Sequence, residues 1–186
     1  MKNVLIVGVG GQGSLLASQL LGNLYLARGL AVKVNEVHGM SQRGGSVVTT
    51  VRAGERVDSP VIVPGTADLL ISFEQLEAQR WAHFLSPEGK LVASTQKILP
   101  MPVISGVTAY PPGITERCKG LWIDATAIAA EAGNVRCSNV ALLGAASVVM
   151  DFSQDEWTAA LSAVIKPALL EVNLKAFALG RAAAGA

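Results

Sequence analysis

Charge is scarce in this chain. Asp, Glu, Lys and Arg make up 16% of its 186 residues, against about 25% in an average soluble domain. Hydrophobic residues reach 51% before the 19 glycines are counted. Too little charge remains to cover the surface, so burial against a partner or a second copy of the chain is expected. The charge is also balanced at net +1, with its basic residues scattered, which removes the electrostatic case for nucleic acid. Histidine is limited to His38 and His83, and cysteine to Cys118 and Cys137. Two distant thiols are too few for a zinc site or an iron–sulfur cluster held by this chain alone, so no metal site is expected. There is no HExxH, no nucleophile elbow and no carboxylate pair at motif spacing. Long apolar runs are missing too. The longest uncharged stretch, Ile98–Thr115, holds Pro100, Pro102, Pro111 and Pro112, which no uninterrupted membrane helix tolerates. The apolar run in Met1–Val9 is broken by glycines and leads to no cleavage site. The expectation is a soluble, cytoplasmic protein with one domain spanning 1–186.

What the chain does have is VLIVGVGGQG at Val4–Gly13, an apolar strand running into Gly8, Gly10 and Gly13 at G-x-G-x-x-G spacing. Glycines let a chain turn tightly off a strand and bring backbone N–H groups to an anion at a helix N-terminus. Ser14–Arg28 has the apolar periodicity of that helix, and Gly29 is its stop. A tight turn whose glycines serve packing alone fits the same residues.

Ala31–Val37 alternates as a second strand and places Glu36 about 20 residues past the glycines, where a nicotinamide-binding domain keeps its ribose ligand. The next segment departs from that scheme. His38–Gly45 (HGMSQRGG) is a polar loop leading directly into a strand at Ser46–Arg52. A parallel crossover takes a dozen or more residues, so this strand should run antiparallel, with a return through Val57–Val63. Strand and helix then alternate: strand Asp68–Phe73, helix Glu74–Leu85 with His83 in a structural role, and strand Gly89–Ser94. The proline-rich stretch suggests short strands at Pro102–Ser105 and Val107–Tyr110, followed by another at Leu121–Ile123. Asp124 caps a helix that Gly133 ends, and helices at Ser138–Met150, Gln154–Ile165 and Pro167–Gly180 follow. The expected fold is α/β and three-layered, a mixed Rossmann-like sheet with an antiparallel hairpin insertion after strand 2 and a helical C-terminal third.

Both glycine-bearing loops leave the carboxyl ends of strands taken as neighbours, where open α/β sheets bind ligands. Arg43, followed by Gly44 and Gly45, suits bidentate recognition of a phosphate or carboxylate, and His38, Ser41 and Gln42 add neutral hydrogen-bonding groups. The alternative is a loop whose Arg43 simply meets solvent or a structural acid.

Together, GVGGQG at Gly8–Gly13 and EVHGMSQRGG at Glu36–Gly45 resemble the gamma-type subunits of 2-oxoacid:ferredoxin oxidoreductases, most closely the beta subunit of the indolepyruvate type. ADLLISFEQLEAQR at Ala67–Arg80 and NVALLGA at Asn139–Ala145 extend the similarity over most of the chain. The resemblance implies oxidative decarboxylation of a 2-oxoacid on thiamine diphosphate. Electrons would pass through iron–sulfur clusters to ferredoxin, and the acyl group to coenzyme A. It also implies a large partner subunit carrying the thiamine site and the clusters, with no cofactor held by this chain alone. Gly8, Gly10, Gly11, Gln12, Gly13 and Gly44 would then be cofactor-binding positions, and Arg43, His38, Ser41 and Gln42 supporting residues near the partner's active site or coenzyme A. Two rival readings stand beside it: a free-standing NAD-dependent oxidoreductase using the glycine loop and Glu36, and a non-catalytic binding module.

Overall fold

The computed structural model describes residues 1–39 and 44–185. Six strands form one mixed sheet in the order β2-β3-β1-β4-β5-β6: β1 (Lys2–Val9), β2 (Ala31–His38), β3 (Ser46–Gly54), β4 (Ala67–Ser72), β5 (Leu85–Ser94) and β6 (Leu121–Ile123). β1, β4, β5 and β6 pair in parallel, while β3 runs antiparallel to both β1 and β2. The missing crossover helix therefore has the predicted consequence, with one difference. β3 inserts between β1 and β2, so those two strands are not neighbours.

Burial follows position in the sheet. The last six residues of central β1 are buried, β3 alternates buried and half-buried residues, and edge strand β2 is largely exposed. One face of the sheet is covered by α1 (Ser14–Ala27), α5 (Ala125–Ala132), α6 (Ser138–Ser147), α7 (Gln154–Val164) and α8 (Pro167–Ala183) over a core that includes Val4, Ile6, Leu69, Ile71 and Val92. The other face packs Leu5, Val7, Leu70, Leu91 and Ala93 against Ala78 of α2 (Gln75–Trp81) and against Ile62. Two short helices, α3 (Met101–Ile104) and α4 (Ile114–Arg117), complete the set.

Local signals explain most helix boundaries. Asp124 Oδ1 accepts from Ala127 N at 2.9 Å. Ser153 and Glu156 form a reciprocal capping box on α7, and Pro167 occupies the first turn of α8. Asn139 to Ser147 of α6 are all buried, since small and apolar residues surround that helix on every side. Its Gly144 lies so close to the Phe177 carbonyl of α8 that a Cβ would collide with it, and Gly180 of α8 meets Ala141 in the same way.

Several expectations fail. Val57–Val63 forms no strand, because Arg52 Nη1 binds the Ser59 and Val61 carbonyls at 2.8 and 2.9 Å and holds that segment as an irregular strap. Pro102–Ser105 is not extended: Pro102 sits in the first turn of α3, where its missing N–H and fixed φ suit a helix start. Val107–Tyr110 has no sheet partner. The helix expected over Glu74–Leu85 also breaks after Trp81 into a short 3-10 turn, and β5 begins earlier than expected, at Leu85.

Candidate functional site

Beyond the carboxyl ends of β1, β4 and β5, three chain segments are bonded to one another by side chains. β1 leads into Gly10–Gly13 and the start of α1. Gln12 reaches back across the end of the sheet: its Oε1 accepts from Val9 N at 2.7 Å, and its Nε2 donates to the Phe73 carbonyl at 3.0 Å and to Gln96 Oε1 at 2.9 Å. The carboxamide thus closes the gap between the loops after β1, β4 and β5. Gly8 makes room for it, since a Cβ there would stand 2.7 Å from Gln12 Oε1 and 3.1 Å from the Phe73 Cβ. Gln12 therefore braces the three loops through its side chain, while its backbone N–H donates to the Val9 carbonyl at 3.2 Å.

Gly13 serves as N-cap of α1 with φ +86°, and a side chain there would strike Asn139 of α6. Two physical demands, left-handed backbone and close approach, meet at this residue. Gly11 has φ +100° with open space around its Cα. The first turn of α1 carries no acid and no side-chain cap of its own, and the Glu36 carboxylate of β2 is bonded to the Ser14 hydroxyl at this end.

The second loop meets the first. Gly10 N donates to the Gly45 carbonyl at 2.9 Å, and Gly39 N to the Ser46 carbonyl at 3.2 Å. Gly44 has φ +77°. The two glycine-bearing loops are thus hydrogen-bonded to each other although β3 separates β1 from β2. Ser41, Gln42 and Arg43 lie outside the described residues. His38 stands exposed at the end of β2, its Nε2 3.3 Å from Glu36 Oε1.

Glu36 does not occupy a ribose position. Its Oε2 accepts from Ser14 Oγ at 2.9 Å and from Thr49 Oγ1 at 2.8 Å, and β3 separates its strand from β1. A nicotinamide fold needs this acid free on the strand beside the glycine loop. Here the carboxylate joins the start of α1 to β3.

A polar cluster behind these loops was not foreseen. Glu74, 1% exposed, caps α2 by accepting from Glu77 N at 2.9 Å, and its other oxygen accepts from Ile98 N at 3.1 Å and Tyr110 Oη at 2.6 Å. Burial first, then the bond to Glu74, pushes the Tyr110 hydroxyl well above its usual range, so it stays a neutral donor. Glu77, 4% exposed, accepts from Ser46 Oγ at the root of the second loop and from Trp81 Nε1 at 3.2 Å. Gln75 Nε2 donates to the Thr95 carbonyl at 2.7 Å. The available signal was an acidic pair directly after a buried parallel strand. It reads equally well as ordinary helix-start acids.

The remaining candidates lie elsewhere. His83 packs against Trp81 and Phe84, with Nδ1 3.1 Å from the Arg80 carbonyl. Cys118 and Cys137 pack into the cores on opposite faces of the sheet, and burial pushes both thiols up. Among the described residues, no three His, Cys, Asp or Glu side chains cluster as metal ligands, and no helix is long and apolar enough to cross a membrane.

The family model for pyruvate ferredoxin/flavodoxin oxidoreductase matches residues 3–183. An indolepyruvate oxidoreductase subunit IorB from Thermococcus kodakarensis is 40% identical over 192 aligned positions, covering 98% of this chain and 95% of that protein. In fold, the chain is similar to the gamma subunit of a keto/oxoacid ferredoxin oxidoreductase from Geobacter sulfurreducens. The TM-score is 0.75 at 22% identity, covering 99% and 98% of the two chains. A chain of the 2-oxoglutarate:ferredoxin oxidoreductase from Magnetococcus marinus matches with a TM-score of 0.76 at 21% identity, and there this chain corresponds to only 31% of the longer one. The family match over nearly the full length, together with a relative at 40% identity, places the chain in the pyruvate ferredoxin/flavodoxin oxidoreductase family.

Proposed function

We propose that this protein is the small subunit of an indolepyruvate-type 2-oxoacid:ferredoxin oxidoreductase. It works with a large partner that carries thiamine diphosphate and the iron–sulfur clusters. The observation that carries this reading is the 40% identity, over 98% of the chain, to a subunit named for indolepyruvate. The chemistry of the chain agrees. Its thiols point into opposite cores, so the clusters belong on another chain, and its buried acids are bonded to the protein itself.

The crevice between the two loops is the part of this subunit we assign to coenzyme A or to the partner's active-site rim. The leading N–H groups of α1 and the guanidinium of Arg43 are the groups suited to a phosphate. Gly8 and Gln12 shape the crevice, while Gly10, Gly11, Gly13 and Gly44 bring backbone to its edge. His38, Ser41 and Gln42 are neutral hydrogen-bonding groups of the second loop's sequence suited to the same ligand. When bound, coenzyme A supplies the thiol that accepts the acyl group, and this chain orients it. Ferredoxin is reached through the large subunit, and the complex is cytoplasmic. In isolation the chain covers its apolar surface with a second copy of itself.

Affinity purification of the tagged chain from its native host tests the assembly. The expected result is a stoichiometric large subunit with an iron–sulfur absorption band. Recovery of the chain alone, with saturable micromolar NADH binding, would overturn the proposal in favour of the nicotinamide reading.

A further inference from the structure

At the amino-terminal edge of the parallel strands, on the helix-rich face, lies a cavity of about 360 Å³. The eight residues of β1 run from this edge to the glycine loop, roughly 23 Å at 3.3 Å per residue. Its floor is apolar and preformed. Val4, Tyr25, Leu69 and Phe152 are all buried. Tyr25 meets Phe152 edge to face at 5.1 Å, and the Arg28 guanidinium lies 4.2 Å over the Phe152 ring. Arg28 is itself committed, binding Glu156 through Nε at 2.7 Å and Nη2 at 2.9 Å.

The rim is charged with both signs. Lys2, Lys90, Asp68 and Glu88 line the opening and are exposed. Among the described residues none of the four forms an ion pair. Asp68 accepts from Asn3 N through one oxygen at 2.7 Å and keeps the other. Lys90 is the register partner of Leu69 in the cavity floor. A ligand with one charge would meet repulsion from half of this rim, whereas a zwitterion matches it. The volume stands near the lower end of the ~300–1,000 Å³ of small-molecule sites, the scale of one amino acid rather than of a dinucleotide.

We propose that this cavity binds a free α-amino acid with a large apolar side chain. The side chain lies on Tyr25 and Phe152, the ammonium group faces Asp68 and Glu88, and the carboxylate faces Lys2 and Lys90. The Tyr25 hydroxyl, pushed up to about 12 by burial and then by Asp68, stays protonated as a neutral donor at the same site.

Isothermal titration of the full chain tests this, with L-phenylalanine against 3-phenylpropionate and 2-phenylethylamine. L-Phenylalanine is expected to saturate one site per chain. Each one-charge analogue should bind at least about tenfold more weakly, the loss expected for a charge-assisted hydrogen bond. Lys2→Glu combined with Lys90→Glu should weaken L-phenylalanine at least about tenfold, with circular dichroism unchanged because both side chains are exposed. Lys90→Ala alone should give a smaller loss in the same direction. No saturation at millimolar L-phenylalanine, equal binding of the analogues, or unchanged binding by the lysine variants would each overturn the proposal.

Discussion

The two ends of the parallel strands use their polar side chains in opposite ways. At the carboxyl edge Gln12, Glu36, Glu74 and Glu77 bond to backbone groups and to neighbouring side chains. At the amino edge Lys2, Lys90 and Glu88 stand exposed around an apolar bowl. A densely cross-bonded edge fixes backbone position, because buried polar groups there have found their partners. Under the proposed function, the groups offered to a ligand at this edge are backbone N–H groups of the first loop and the guanidinium of Arg43. At the other edge the side chains themselves remain available.

The sharpest way to break this contrast is at Gly13. Gly13→Ala should cost about 1–3 kcal/mol for the left-handed backbone and about 1–3 kcal/mol more for the collision with Asn139, read as a lower denaturant midpoint. Gly11→Ala, with positive φ but open space, should show the backbone cost alone. Equal losses at the two positions would remove the packing part of the account.

Next in size is Arg43→Ala in the reconstituted complex. Loss of one charge-assisted interaction of about 1.5–3 kcal/mol raises the KM for coenzyme A roughly tenfold to a hundredfold, with stability unchanged. Unaltered kinetics would take the second loop out of substrate binding.

Gln12→Ala removes all three bonds made by the carboxamide and should destabilise by about 1–3 kcal/mol, measured by urea unfolding. A conservative swap sharpens the point. Gln12→Glu keeps the acceptor for Val9 N but sets a carboxylate against the Phe73 carbonyl and Gln96 Oε1, so it should be no more stable than the alanine variant.

The smallest effect falls at the amino edge. The Arg28 hydrogen bond, and then the backbone bond from Ser153, hold the Glu156 carboxyl at about 2, below its ordinary 4.5. A depressed folded-state pKa contributes stability above the unfolded value and loses it as pH falls through the folded one. Glu156→Gln should therefore flatten the acid dependence of unfolding between about pH 4.5 and 2, as followed by thermal melts across that range. Parallel pH profiles for variant and native protein would contradict the assignment.

Much of this was legible from particular residues. The eight residues between Val37 and Ser46 were too few for a crossover, and that alone fixed the sense of β3. Its place between β1 and β2 was not legible, because an antiparallel return can pair on either side of its predecessor. The two loops were visible through their glycines, whose backbone demands are local. The bracing bonds of Gln12 were not legible because its partners, Phe73 and Gln96, are 61 and 84 residues away in sequence. The strap at Val57–Val63 and the turn at Pro102 failed for related reasons. A long-range bond from Arg52 overrode β propensity in the first. In the second, proline at a helix start looks the same in sequence as proline in an extended chain.

The central claim, that the chain is a working part of a 2-oxoacid oxidoreductase, is tested most directly by titrating it into the purified large subunit. Coenzyme A-dependent reduction of ferredoxin by indolepyruvate is the signal to follow. The account predicts little turnover without the chain and a rise that saturates at one chain per large subunit. Full activity of the large subunit alone, or no response to the added chain, would contradict it.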